Sequence, residues 1–266
     1  MRLIRALLAL LLATLAGCAS VVPLPRAETA PSAQAAQDAW ARVLLRFVND
    51  EGEVDFARLA TDRADLDRVL AYIAATPFEQ LPAGAPRLAH HINSYNALSM
   101  FNVIASGLPE THAGLAKLRF FVLRRFNIGG RELSLHAYEN EVIRPLGDPR
   151  VHFALNCSAR SCPVLPRVPF RADALDKQLD FETRAFFARP ENLRVDPAAR
   201  TVWLSEIMSF YSEDFAPAAA PSLLDYVRRY TTQVLPADYA VRFTPYDWSV
   251  AHVRPRTEPH LPTLGR

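Results

Sequence analysis

Along most of the chain, apolar residues fall three and four apart, the spacing of helices with one buried face. Trp40, Val43, Leu44, Phe47 and Val48 predict a helix from about Ala36 that ends near Asn49 and Gly52. Leu66, Val69, Leu70 and Ile73 predict a second over 62–75. A third runs from Pro86, a residue suited to the first helical turn, to the stop at Gly107-Leu108-Pro109, with Leu88, Ile92, Tyr95, Leu98 and Phe101 facing the core. Phe126 to Leu133 reads as a hairpin turning at Gly129-Gly130, after which Ser134 caps a short helix that Pro145 ends. The apolar run from Val151 to Leu155 is the best candidate for a central strand. Asp173–Ala188 returns to helical period, and Leu193–Asp196 with Thr201–Leu204 reads as a second hairpin around 197–200. Helices over 205–211 and 222–232 and a strand near Tyr239–Phe243 complete the pattern. Helices and hairpins mix without a strand–helix–strand alternation, so the class is α+β: a helix-rich single domain with a small, mostly antiparallel sheet.

The first residues follow a different logic. Arg2 and Arg5 precede an apolar stretch from Ala6 to Leu15 that is too short to span a bilayer and reads as a secretory signal over 1–17. Leu15-Ala16-Gly17-Cys18 resembles the lipobox of bacterial lipoproteins, which makes Cys18 the lipidation site. The residue after it is Ala19 and not Asp, which in that class implies the periplasmic face of the outer membrane. Residues 19–35 carry several prolines and no apolar period, as expected of a flexible tether following the acylated cysteine. The globular part is then 36–250, and the proline-containing end over 251–266 is expected to be disordered.

Composition narrows the partners. The formal net charge of +2 disappears with Arg2 and Arg5, and no basic block interleaved with aromatics occurs, so a nucleic-acid partner is excluded. Half of the residues are hydrophobic, enough for a proper core in one domain or two packed lobes.

Chemistry-bearing residues concentrate in Val151-His152-Phe153-Ala154-Leu155-Asn156-Cys157-Ser158-Ala159-Arg160-Ser161-Cys162-Pro163. Apart from Cys18, Cys157 and Cys162 are the only cysteines. In an oxidising compartment they can bridge, since the intervening loop is long enough for disulfide geometry. They can equally form a reactive pair, with Arg160 lowering a thiol pKa. A cysteine nucleophile needs a base and a group to orient that base. His152 and Cys157 would point to opposite faces of a continuous strand, so that pairing requires a bend after Leu155. Glu139 is available to orient His152, while Glu139 and Arg144 are five apart and do not face each other on a helix. Asn93 and Asn96, three apart on the long helix, either hydrogen-bond neighbouring loops or contact substrate. His136, His152, Cys157 and Cys162 are nominal zinc ligands, but their spacings are not those of zinc sites, and no metal or other cofactor is expected. Phosphate-loop, nucleophile-elbow, zincin and dinucleotide signatures are missing from the sequence.

Ile92-Asn93-Ser94-Tyr95-Asn96-Ala97-Leu98, the Gly-Gly hairpin with Leu133-Ser134-Leu135, the 149–163 block, Leu204-Ser205-Glu206-Ile207, Phe210-Tyr211-Ser212-Glu213-Asp214-Phe215 and Tyr246-Asp247-Trp248-Ser249 together resemble the domain of unknown function 547 family over about 85–250. The family pattern places a histidine, an asparagine, both cysteines and a proline where this chain has His152, Asn156, Cys157, Cys162 and Pro163. It usually has an acidic residue where His136 stands and often a histidine where Asn140 stands. The resemblance implies a family and no reaction. Because the family also has intracellular members, a disulfide is not the general purpose of the cysteine pair.

Two functions follow as expectations. The first is a lipid-anchored periplasmic hydrolase or acyl/peptidyl transferase, with Cys157 as nucleophile, His152 as base, Glu139 or Asp247 as orienter, Asn156, Asn93 or Asn96 as oxyanion donors, and Arg144 as a further substrate contact. The second is a binding or scaffold domain for a peptide or other envelope ligand, with a structural Cys157–Cys162 disulfide. A metal-dependent site is a third alternative.

Overall fold

The long helix beginning at Pro86 is the axis around which the chain is built. In the computed structural model, which describes residues 19–253, it runs over Ala85–Ala105 and is buried on most of its circumference. Before it come α1 (Ala33–Phe47), α2 (Phe56–Thr61) and α3 (Ala64–Ala75), which makes the long helix α4. Ser32 caps α1 by accepting from the Ala35 N–H, a contact worth about 1 kcal/mol. The face of α1 that carries Trp40, Val43, Leu44 and Phe47 is buried, each such side chain contributing about 1.5–3 kcal/mol. The α2 helix is not foreshadowed by the apolar period; Asp55 caps it by accepting from the Arg58 N–H.

One face of α4 is polar although buried. Asn93, Asn96, Ser99 and Asn102 recur every third residue and reach three crossing segments, Asn96 and Ser99 sharing the one at 154–158. Asn93 clamps the backbone of Phe170, accepting from its N–H and donating to its carbonyl, and also accepts from Trp40 Nε1. Asn96 donates to the Ala154 carbonyl and accepts from the Asn156 N–H at 2.7 Å. Ser99 meets Ser158, and Asn102 donates to the Phe120 carbonyl. The three asparagines supply the partners that buried loop backbone would otherwise lack.

A short helix, α5 (Leu115–Leu118), leads through one π turn into the first sheet. Its strands are β2 (Arg124–Ile128) and β3 (Arg131–Ser134), antiparallel across Gly129-Gly130, both at positive φ. A side chain at Gly129 would meet the Thr76 carbonyl oxygen at 2.6 Å, so this turn seats against the end of α3 only with glycine. On the other edge, β1 (Ser20–Val21) pairs parallel with Arg124 and Arg125, and Val22 is buried beyond it. Part of the stretch expected as a free tether is therefore docked on the domain. The sites named at Cys18 and beyond Val253 lie outside the described residues.

The remaining elements are α6 (Leu135–Tyr138), α7 (Leu175–Ala188), the hairpin of β4 (Leu193–Asp196) and β5 (Thr201–Ser205), the short helices α8 (Ile207–Phe210), α9 (Ser212–Phe215) and α10 (Leu223–Arg228), and β6 (Ala240–Thr244). β6 lies parallel to β5, giving a second three-stranded sheet. The class is α+β as expected, but its sheet is two small mixed ones.

Val151–Leu155 is not a strand. Pro149–Phe153 forms a 3-10 helix, begun by Pro149 and capped by the Asp148 side chain, and the Ala154 and Leu155 N–H groups both bond to the Val151 carbonyl. Asn96 takes the Ala154 carbonyl and the Asn156 N–H, groups that a strand would have offered to a neighbour. Two hydrophobic clusters meet on this segment. Val151, Ala154 and Leu155 belong to the one around α4, while Phe153 belongs to the other and packs on Phe186 and Phe187 at ring distances of 4.8 and 5.1 Å. The run is apolar on every side because it is the seam between two lobes.

Candidate functional site

Beside that seam lies a cleft of about 540 Å³. Tyr95, Glu139, Arg144, His152, Cys157 and Cys162 reach it from the first lobe and the seam, and Phe210, Tyr211, Tyr246 and Trp248 from the chain beyond α7. Five of the side chains singled out in the sequence, Glu139, Arg144, His152, Cys157 and Cys162, thus converge on one cavity.

The polar floor is a chain of side chains bonded to one another. Arg144 grips Asp214 with two donors, Nε at 2.7 Å and Nη2 at 2.8 Å, and also reaches Glu213 and Asn140. Asp214 lies 2.7 Å from His152 Nε2. The other ring nitrogen of His152, Nδ1, is buried without a hydrogen-bond partner and lies 4.0 Å from Glu139 Oε1. Glu139 Oε2 accepts from the Tyr95 hydroxyl at 3.2 Å. The imidazole itself stacks on Tyr211 at 3.9 Å. Local structure aims these groups. The Ser134 side chain accepts from the Ala137 N–H to start α6, and the π turn Glu139–Ile143 that follows sets Glu139 inward and delivers Arg144.

Electrostatics follow from this packing. The His152 hydrogen bond, with the Arg144 guanidinium beyond it, holds the Asp214 carboxyl well below the usual carboxylate range. Burial, reinforced by Glu139, pushes the Tyr95 and Tyr211 hydroxyls well above the usual phenol value, so both remain protonated donors. At the cleft wall the Lys117 ammonium sits 3.8 Å from the Trp248 ring centre and 5.4 Å from that of Phe210, and partial burial lowers its pKa. Leu118, Val122 and Phe210 line the same cleft and remain 43 %, 41 % and 43 % exposed, an apolar rim on water.

Cys157 and Cys162 form a disulfide, with Cα atoms 6.2 Å apart. Cys162 Sγ also accepts from the Cys157 N–H at 3.0 Å and the Tyr246 hydroxyl at 3.1 Å. Arg160 is turned away to Glu53. The expected nucleophile–base pair is not assembled: the Cys157 sulfur is bonded to Cys162, and the two nitrogens of His152 are turned to Asp214 and toward Glu139. The bend after Leu155 does occur, but it joins Cys157 to Cys162.

Other expected site residues have structural work. Asn93 and Asn96 are the backbone clamps described above. Asn156 accepts from the Ser158 N–H at 2.7 Å and donates to the Pro163 carbonyl at 2.8 Å, holding the tight turn in which Ser158 takes a φ of 64°. Its side chain is committed at both ends to this turn, and its backbone N–H goes to Asn96. Asp247 accepts from the Ser249 N–H, while its backbone pairs with Ser161, so it does not orient His152. Asp214 holds that place. It lies in the Phe210–Phe215 motif, where a carboxylate beside Tyr211 was the signal to follow. Among the described residues no group of three His, Cys, Asp or Glu side chains is arranged to hold a metal ion, and His136 bonds instead to Asn140.

No curated protein and no solved structure matches the chain. Residues 79–187, which carry Glu139, Arg144, His152 and both cysteines but not Tyr211, Asp214, Tyr246 or Trp248, match the family model described as "Protein of unknown function, DUF547", and in this segment the chain is similar to that domain family.

Proposed function

We propose that the cleft is the ligand site of a cell-envelope binding domain, anchored by acylated Cys18 at the periplasmic face of the outer membrane. The observation that carries this reading is one cavity with an apolar rim of Leu118, Val122 and Phe210 over a buried polar floor of Glu139 and His152. Such a cavity suits a ligand with an apolar body and one polar head, whose head meets the Nδ1 of His152 and the carboxylate of Glu139. The Cys157–Cys162 bridge forms part of the wall and fits an oxidising compartment. A Cys157 hydrolase or transferase would require a reduced sulfur and a histidine nitrogen aimed at it, and the arrangement of His152 favours binding over turnover.

The test uses the full chain isolated from membranes and a panel of envelope peptides and their amide or ester derivatives, read by calorimetry and by mass spectrometry of the probe. Saturable binding with the probe recovered unchanged, weakened at least tenfold in Glu139→Gln, is the expected result. A probe consumed by the wild type and spared by Cys157→Ala would replace this reading with the hydrolase. Retention of the protein in the soluble fraction after Cys18→Ser supports the anchor.

A further inference from the structure

The disulfide is built asymmetrically. Both cysteines line the cleft, yet the strong donors converge on one of the sulfurs. Cys162 Sγ receives the Cys157 N–H at 3.0 Å and the Tyr246 hydroxyl at 3.1 Å, whereas Cys157 Sγ has only the same hydroxyl at 3.5 Å. A disulfide sulfur is a weak acceptor and gains little from two donors. A thiolate gains a great deal, because hydrogen bonds to an ionised acceptor are about twice as strong as neutral ones. Burial keeps the Tyr246 hydroxyl protonated and donating, with its pKa pushed far above the phenol value. The site is thus prearranged for negative charge on Cys162.

We propose that Cys157–Cys162 is a thiol–disulfide exchange centre in the cleft, with Cys157 the sulfur attacked and Cys162 the leaving group, and with a dithiol as the reducing substrate. A thiolate of the dithiol attacks Cys157 Sγ; the bond between that sulfur and the incoming one forms as the Cys157–Cys162 bond breaks, and the electron pair leaves on Cys162. The second thiol of the substrate then attacks the substrate sulfur of the mixed disulfide and releases Cys157. The dithiol is oxidised by two electrons, and its two protons end on Cys157 and Cys162. The Tyr246 hydroxyl stabilises the leaving charge and is a positioning residue for this step. The activity does not depend on which ligand the cleft binds.

The experiment treats the oxidised full chain with dithiothreitol without denaturant, quenches with an alkylating agent and weighs the protein. Reduction is expected to be first order in thiol while circular dichroism stays native, and about tenfold slower in Tyr246→Phe, an effect of about 1.4 kcal/mol on the barrier. With a monothiol in place of the dithiol, peptide mapping should find the adduct on Cys157. Reduction at a rate independent of thiol concentration, set by unfolding, would overturn the proposal. An adduct on Cys162, or a folded Tyr246→Phe reduced as fast as wild type, would do so as well.

Discussion

Two sets of buried and half-buried polar side chains are wired in opposite ways. The stripe on the long helix, Asn93, Asn96 and Asn102, binds chiefly backbone groups of crossing loops. The floor of the cleft, Arg144, Asp214, His152, Glu139 and Tyr95, binds side chain to side chain and ends with an imidazole nitrogen that has no partner. Polar groups bonded to backbone fix loops; the one atom the stripe leaves unpartnered, Asn102 Oδ1, is buried and does not line the cleft. Polar groups bonded to each other, with one donor or acceptor left over, are what a ligand can complete. Burial alone does not separate the two sets; the identity of the partners does.

The sharpest break of this contrast is Asn96→Ala. It strands the Ala154 carbonyl and the Asn156 N–H, and at about 1–3 kcal/mol for each unsatisfied buried group, stability should fall by about 2–6 kcal/mol in urea unfolding. A loss under 1 kcal/mol would deny the clamp. Acid is the next lever. His91 on the long helix and His112 beneath Phe120 are held neutral by burial, with pKa values lowered to about 3 and about 4, and the neighbouring His90 is lowered to about 4. The unfolded chain takes up these protons near 6.5, so stability present at neutral pH is lost as pH falls from there toward the folded values. The slope is about 1.4 kcal/mol per pH unit for each histidine. His112→Phe should flatten the curve of melting temperature against pH; an unchanged slope would place the titration elsewhere. The contribution of Asp214, whose carboxyl is depressed, is present above the ordinary carboxylate value and goes only below it, as pH falls toward its folded pKa.

Smaller effects are expected from the floor and the rim. Glu139→Gln keeps an acceptor for the Tyr95 hydroxyl and should cost about 1 kcal/mol or less in stability while weakening ligand binding, a separation that Asn96→Ala cannot show. Leu118→Ser with Val122→Ser, both partly exposed, should change stability by about 0.5 kcal/mol or less and still weaken ligand binding. Comparable losses of stability and binding in these variants would erase the distinction between the two regions.

The elements legible in the sequence are those that local signals delimit. Pro86 and Gly107 bracket the long helix, and Gly129-Gly130 and 197–200 mark the two hairpins. The 151–155 run misled because an apolar stretch buried between two lobes has the same composition as a buried strand, and only Asn96, far back in the chain, decides its backbone bonding. For the cleft, the first lobe and seam supplied Glu139, Arg144, His152, Cys157 and Cys162, all read from the sequence. Tyr211, Asp214 and Tyr246 arrive from the other lobe and Trp248 from the chain that returns after it, and spacing along the chain carries no trace of that approach. The sequence points to Asp247 no better than to Asp214 as the partner of His152, since which of two carboxylates meets a histidine is decided by tertiary packing.

The pairing of Ser20–Val21 with Arg124–Arg125 has a consequence for how the domain meets a surface. Acyl chains on Cys18 would be separated from an ordered strand by Ala19 alone, leaving almost no leash. On the proposed anchor, the short distance from acyl chain to strand would limit how far the domain could swing from its point of attachment.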